Sequence, residues 1–262
     1  MTRYGPRALI LGGSEGIGAG FAEHLAAAGF GLTLVARTTD TLEARAEELR
    51  KRHGADVDTR RLDLTGPDVE TAAADILAAH EYGLVIYNAG AAHGVGLFLD
   101  QPLARATNLV RLNCTSPVVF AHLALTGMRQ RGRGGLIMVS SMSAMAGSGY
   151  VAAYSAAKAF EINLAEALNW ELAPHGVDVM CAVATLTDTP AMRRSGLQLD
   201  ADPNYVAMDP QAVAAEALSN LGGRAVWFAA GEQVAEAMRS SPRAALTDSM
   251  SRTSARLWGL EV

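Results

Sequence analysis

The sequence predicts an α/β protein: a doubly wound, parallel, seven-stranded sheet with helices on both faces, in a single domain. Three observations carry this. Seven short apolar runs alternate with longer amphipathic segments, the pattern of repeated right-handed βαβ crossovers. Most of the short runs are continuously apolar rather than alternating, as parallel strands covered on both faces require. A glycine-rich turn follows the first run and opens the first helical segment.

The strands are expected at 7–11 (RALIL), 32–36 (LTLVA), 58–64 (DTRRLDL), 84–88 (LVIYN), 136–140 (LIMVS), 177–183 (VDVMCAV) and 225–229 (AVWFA). Helices are expected between them at 17–28, 40–52, 68–80, 103–130, 153–173 and 210–221. The stretch from Thr187 to Asp209 is polar, contains proline and is too long for an ordinary connection, which suits a lid over a site. The division follows: a cofactor-binding part to about residue 185, a lid over 187–209 and a C-terminal segment over 210–262.

Composition bounds the function. The chain has 262 residues, half of them hydrophobic, enough for one large core. A net charge of −5 offers no basic field for nucleic acid. Cys114 and Cys181 stand far apart in no CxxC pattern, which argues against a disulfide scaffold and suits a reducing cytosol. The histidines show no HxxxH or HExxH spacing, so no metal site is expected. The first apolar run is too short for a signal peptide, and no stretch approaches the roughly 20 apolar residues of a membrane span. The expectation is a soluble cytoplasmic protein.

Gly12, Gly16 and Gly18 in "GGSEGIG" form a GxxxGxG turn between a strand and a helix. The first glycine permits a tight turn, the second lets backbone approach a pyrophosphate, and the third lets the helix pack close to the sheet. Ser14, Glu15 and Ile17 complete the turn and are read with it as cofactor-binding. The cofactor ribose is read at the end of the second strand, where Ala36 and Arg37 precede Thr38 and Thr39. A guanidinium with nearby hydroxyls suits a 2′-phosphate and therefore NADP(H). The plainer alternative is a surface arginine at a strand end, and Glu15 carries the opposite sign in the same turn.

"AAYSAAKAF" places Tyr154 and Lys158 four apart, on one helix face. Either the pair is a half-buried tyrosine beside a surface lysine, or it is an acid–base tyrosine with an ammonium beside it.

The chain resembles the short-chain dehydrogenase/reductase family over nearly its whole length, most clearly residues 5 to 190. The pieces that carry the likeness are "GGSEGIG", "DL" at Asp63–Leu64, "NAG" at Asn88 to Gly90, Asn113 in "LNCTSP", "VSS" at 139–141 and "YSAAK". The resemblance implies a Rossmann-type fold and an oxidoreductase. It implies Tyr154 as the catalytic acid–base, Lys158 as its lysine, Ser141 as the catalytic serine 13 residues before the tyrosine, and Asn113 as the fourth member. It further implies Asp63 and Leu64 near the adenine, and Asn88, Ala89 and Gly90 along the cofactor.

The residues support that chemistry. A ketone receiving a hydride becomes an alkoxide and needs a proton, which a phenol can give. A free phenol has a pKa of about 10, and a neighbouring ammonium with an oxidised nicotinamide stabilises the phenolate. Ser141, just past a strand end, can hold the carbonyl oxygen, and Asn113 can hold a water that resupplies the proton. The bland alternatives are a serine capping the strand end and an asparagine satisfying a helix backbone.

Departures from the family pattern are Leu11 for a threonine, Tyr87 for the first asparagine of "NNAG", and Ala184–Thr185 for Pro-Gly. Thr187 and Thr189 stand as partners for the carboxamide or phosphate. The C-terminal segment is similar to reductases of the ketoacyl and 17β-hydroxysteroid types, which suggests a medium-sized apolar ketone or alcohol. Its pocket is expected along Ala91 to Leu97, with His93, along Ser143 to Tyr150, and in the lid. The helices at 103–130 and 153–173 correspond to the family's dimer interface, so a homodimer or homotetramer is expected. Two other functions remain open: a non-catalytic NADP-binding sensor or scaffold, and another reaction such as epimerisation or double-bond reduction.

Overall fold

The strand β1 (Arg7–Leu11) is buried along its whole length and lies inside a seven-stranded sheet. In this computed structural model, residues 2–90, 95–198 and 206–260 are described. From β1 the chain runs through α1 (Gly16–Ala27), β2 (Gly31–Ala36), α2 (Thr39–His53) and β3 (Val57–Arg61), building outward to one edge. It returns through α3 (Val69–Ala79) to β4 (Leu84–Tyr87) on the other side of β1. It then continues through α4 (Leu103–Val110), α5 (Ser116–Arg131), β5 (Gly134–Ser141), α6 (Ala152–Leu172) and β6 (Val177–Ala184). The short helix α7 (Pro190–Arg194) and α8 (Pro210–Asn220) lead to β7 (Val226–Phe228), and α9 (Glu232–Ser240) and α10 (Arg243–Leu257) follow. Sheet order is β3-β2-β1-β4-β5-β6-β7 with every pair parallel, as expected. The order reverses between β1 and β4, which opens a crevice at their carboxyl ends.

The two-residue period of the strands divides the core between the two faces. Leu9, Leu11, Val85 and Tyr87 point to one side with Phe120 of α5 and Ala165 of α6. Ala8, Ile10, Leu34 and Ile86 point to the other with Phe21 of α1 and Val213 of α8. Full burial of these side chains is why the strands read as unbroken apolar runs.

The structure shortens the third expected strand. It ends at Arg61 rather than residue 64, because the Asp63 carboxylate accepts hydrogen bonds from the Thr65 N–H (2.9 Å) and hydroxyl (2.8 Å) and turns the chain. The helix expected at 103–130 is interrupted by a π-helical turn, Arg111–Thr115. There Asn113 Nδ2 donates to the Leu109 carbonyl at 3.0 Å, taking the acceptor that an α-helix offers to residue 113's own N–H. This stretch, Leu103–Arg131, is long and apolar enough to cross a membrane by length and composition alone. Its apolar side chains Phe120, Ala121, Ala124 and Met128 are instead spent on the sheet.

Within the expected lid, Thr189 caps α7 by accepting from the Met192 N–H at 3.2 Å. An isolated parallel bridge joins Thr187 to Met208 at the base of that excursion.

Candidate functional site

The residues singled out in the sequence gather at and beyond the carboxyl ends of β1 to β6. The glycine turn joins β1 to α1. Gly16 has φ +57°, a left-handed backbone. At Gly18 an added Cβ would lie 1.9 Å from the Gly12 carbonyl oxygen, so only glycine lets α1 approach the sheet. Asn88 stitches β4 to this turn. Its backbone N–H donates to the Leu11 carbonyl at 3.0 Å, and its Nδ2 donates to the Gly12 carbonyl at 3.1 Å. Ala89 packs against Gly12, and Ser14 and Ile17 are half-buried in the turn. The result is a backbone cradle at a helix N-terminus, which fits a dinucleotide pyrophosphate.

Glu15 does not stand as a free negative charge. Its Oε2 accepts from Arg194 Nη1 at 3.0 Å, and Oε1 is also paired with that guanidinium. Arg37 is exposed at the end of β2, beside Arg61, whose Nε donates to the Arg37 carbonyl at 3.2 Å. Arg61 went unnoticed in the sequence because it fell in the middle of a longer expected strand. Its signal was the Ala36–Arg61 register, visible only once β2 and β3 are paired. The Thr65 backbone N–H, with further help from Thr65 Oγ1, Arg37 and Arg61, holds the Asp63 carboxyl below its ordinary range despite partial burial. Leu64 is buried, and its carbonyl accepts from the Ser116 hydroxyl.

Tyr154 and Lys158 share one face of α6, with Nζ 5.9 Å from the tyrosine ring centroid. The surface-lysine alternative fails, since Lys158 is only 3% exposed. Its Nζ donates to the Val139 carbonyl at 2.8 Å and to Glu161 Oε1 and Oε2 at 2.9 and 3.0 Å. Glu161, one turn further on, is fully buried and was missed in the sequence. Its signal was the i,i+3 spacing in "KAFE", which places a carboxylate under the ammonium. Burial pushes Glu161 up to about 7 against the pull of Lys158. Burial acts to lower Lys158, and the Glu161 carboxylate outweighs it and holds the ammonium above the ordinary lysine range.

Asn113 is buried beside this pair. Its Oδ1 has no hydrogen-bond partner among the described residues. A Cβ on Gly90 would lie 2.8 Å from both Asn113 Oδ1 and Lys158 Nζ, so the bare backbone of Gly90 is what lets these three residues meet. Ser141 ends β5, and its Oγ accepts from the Ser143 N–H at 3.2 Å. The strand-end cap is therefore made, and the hydroxyl proton is not used in it.

Ala184 closes β6 opposite Ser141. The buried Thr187 donates its hydroxyl to the Thr185 carbonyl at 2.9 Å, and the Thr189 methyl lies against Gly16. Beside Tyr154 a cleft is lined by Phe98, Gln101, Arg105, Leu109 and Tyr150. Tyr150 has φ +64°, the one non-glycine residue with positive φ among those described, and its carbonyl accepts from the Gly96 N–H at 2.9 Å. Helix α10 pins the loop before it. Ser148 Oγ lies 2.9 Å from Ser254 Oγ, and the Gly149 N–H donates to Ser251 Oγ at 2.8 Å. His93 and the rest of 91–94, like 199–205 of the expected lid, lie outside the described residues.

A family model described as short chain dehydrogenase matches residues 6–200. A very-long-chain 3-oxoacyl-CoA reductase of Podospora anserina is 31% identical over 215 residues, 79% of this chain and 63% of that protein. This chain thus spans less than two thirds of that reductase's length. A 7beta-hydroxysteroid dehydrogenase of Collinsella aerofaciens is 31% identical over 226 residues, 84% of each chain. Among solved structures, a short-chain dehydrogenase from Sphingobium yanoikuyae in complex with NADPH superposes with a TM-score of 0.81 at 32% identity, covering 88% of this chain and 90% of that one.

Proposed function

Because the chain belongs to the short-chain dehydrogenase/reductase family of oxidoreductases, we propose that it interconverts a ketone and a secondary alcohol on a medium-sized apolar substrate, with NADP(H) as cofactor and Tyr154 as acid–base. The observation that carries this reading is the meeting of buried Lys158 and Asn113 with the backbone of Gly90 beside Tyr154, at the carboxyl ends of β4 and β5.

A nicotinamide bound there supplies or accepts the hydride. The protein does the rest. The glycine turn offers backbone N–H groups to the pyrophosphate, and Arg37 with Arg61 offers two cations to a 2′-phosphate. With Glu15 occupied by Arg194, the glycine turn opposes that phosphate less than its sequence suggests. Ser141 donates its hydroxyl to the carbonyl oxygen and fixes it against Tyr154. Tyr154 gives its proton to that oxygen as it becomes an alkoxide, and Lys158 stabilises the phenolate left behind. Thr187 and Thr189 would serve as partners for the carboxamide or a phosphate of the cofactor.

The substrate class rests on the cleft beside Tyr154, where Phe98, Leu109 and Tyr150 supply apolar wall. The names of the relatives, a 3-oxoacyl-CoA reductase and a hydroxysteroid dehydrogenase, support a bulky lipid-like ketone. The protein works in the cytoplasm as a homodimer or homotetramer, with exposed Val110, Val118, Phe160 and Trp170 on α4, α5 and α6 as the joining surface.

The test is oxidation of NADPH and NADH, side by side, with a panel of alkyl, acyl-thioester and steroid ketones. NADPH-dependent turnover of at least one bulky apolar ketone is expected. Cofactor binding without turnover of any ketone would turn the reading toward a sensor.

A further inference from the structure

Lys158 is not the lone cation that an acid–base tyrosine needs. Its three N–H donors are all taken, one by the Val139 carbonyl and two by Glu161. Glu161 is fully buried, and both its oxygens are spent on the same ammonium. A carboxylate in that position is costly to desolvate and adds nothing to the core that an apolar side chain would not supply. The residue's effect is instead electrostatic, and it falls on Tyr154 two turns back along α6.

We propose that Glu161 is a positioning residue for the reaction: it holds Lys158 through both carboxylate oxygens and cancels part of the ammonium charge felt at Tyr154, so that a lysine–glutamate pair, not a lysine alone, sets how readily the tyrosine gives up its proton. The inference rests on the proposed role of Tyr154 and deepens it.

The surroundings isolate the effect. Among the described residues, the titratable groups facing the pair are Tyr154 on α6, Tyr87 on β4, Cys114 on the π turn and Cys181 on β6. Burial pushes Tyr87, Cys114 and Cys181 up, toward their neutral forms. Ser140 and Asn113 complete the surroundings as uncharged dipoles. With Glu161 held near 7, its carboxylate is ionised over the alkaline range in which a phenol titrates. Lys158 also keeps the Val139 carbonyl as an acceptor when the carboxylate is removed, and the unpartnered Asn113 Oδ1 stands close by.

The sign follows. Glu161→Gln keeps an amide oxygen for Lys158 and removes the negative charge. The Val139 carbonyl still accepts from the ammonium, and while Lys158 keeps its proton against burial its uncompensated charge lets the tyrosinate form at lower pH. In alcohol oxidation the base form of Tyr154 is required, so the rising limb of kcat/KM against pH should move down by about one pH unit. Glu161→Asp keeps the charge, and its limb should stay with the wild type. A second readout needs no cofactor: the tyrosinate absorbance titration of the unliganded protein, as wild type minus Tyr154→Phe, repeated in the Gln background, should show the same downward shift.

Should Glu161→Gln not fold, Glu161→Leu, which needs no polar partner, carries the same expectation. A limb and titration that stay put or move upward overturn the proposal, as does an Asp variant that shifts as far as Gln. Full turnover by Tyr154→Phe would instead overturn the reading of Tyr154 itself, which keeps the two failures apart.

Discussion

The carboxylate of Glu15, in the turn after β1, is paired with the guanidinium of Arg194 on α7, 179 residues further along the chain. The pair ties the glycine cradle to the segment that follows β6, and it matches the negative charge that the glycine turn itself carries.

Cofactor choice should follow from this arrangement. Arg37→Ala and Arg61→Ala should each lower the preference for NADPH over NADH, by about tenfold, the low end for a charge-assisted fork at an exposed site. Ala36→Asp with Arg37→Ala should reverse it, by offering a carboxylate to the ribose hydroxyl. Glu15→Ser should change the ratio by less than about threefold, because the Glu15 charge is already matched. Ratios of kcat/KM for the two cofactors decide this, and an unchanged ratio in both arginine variants would show them to be surface residues.

Tyr154→Phe should lower turnover by at least about 100-fold, the low end for loss of a general acid. NADPH affinity, read by fluorescence, should hardly change, because the phenol oxygen touches none of the glycine cradle. Near wild-type turnover would remove Tyr154 from the mechanism.

Lys158→Ala should fail in two separable ways. It strands the buried Glu161 carboxylate, which costs about 3–5 kcal/mol of stability. It also removes the cation beside Tyr154. Lys158→Met combined with Glu161→Leu should recover most of the unfolding temperature and none of the activity. Recovery of activity along with stability would mean that Lys158 serves the fold alone.

Glu161 also predicts how stability depends on pH. Its folded value, about 7, lies above the ordinary 4.5. Its contribution is therefore fully present below pH 4.5 and is lost as pH rises through about 7. Each pH unit of that interval is worth about 1.4 kcal/mol, so the wild type should lose on the order of 3 kcal/mol across it relative to Glu161→Gln. Denaturant melts of both proteins at several pH values measure the difference, and parallel curves would contradict it.

Much of the fold could be read from the chain because burial on both faces forces parallel strands to be apolar throughout, as in Leu9 to Leu11 and Leu136 to Met138. The Tyr154–Lys158 spacing was legible for a similar reason: helical geometry is local. What was not legible depends on contacts between distant segments. Arg61 gains meaning only from its register against Ala36, and Glu15 only from Arg194. The π turn at 111–115 comes from a side chain competing for a backbone carbonyl, which no apolar period records. Glu161 is the exception, a local signal overlooked because a carboxylate three residues past a lysine usually marks a solvated helix face.

The clasp between Ser148–Gly149 and Ser251–Ser254 sets an order on biosynthesis. All seven strands have been synthesised once Phe228 is added, so the sheet and the dinucleotide cradle can assemble while α10 is still inside the ribosome. The loop that leads into Tyr154 gains its anchor only when α10 emerges. A nascent chain should therefore bind its cofactor before it turns over any substrate, because α10 anchors a site built almost entirely by residues made long before it.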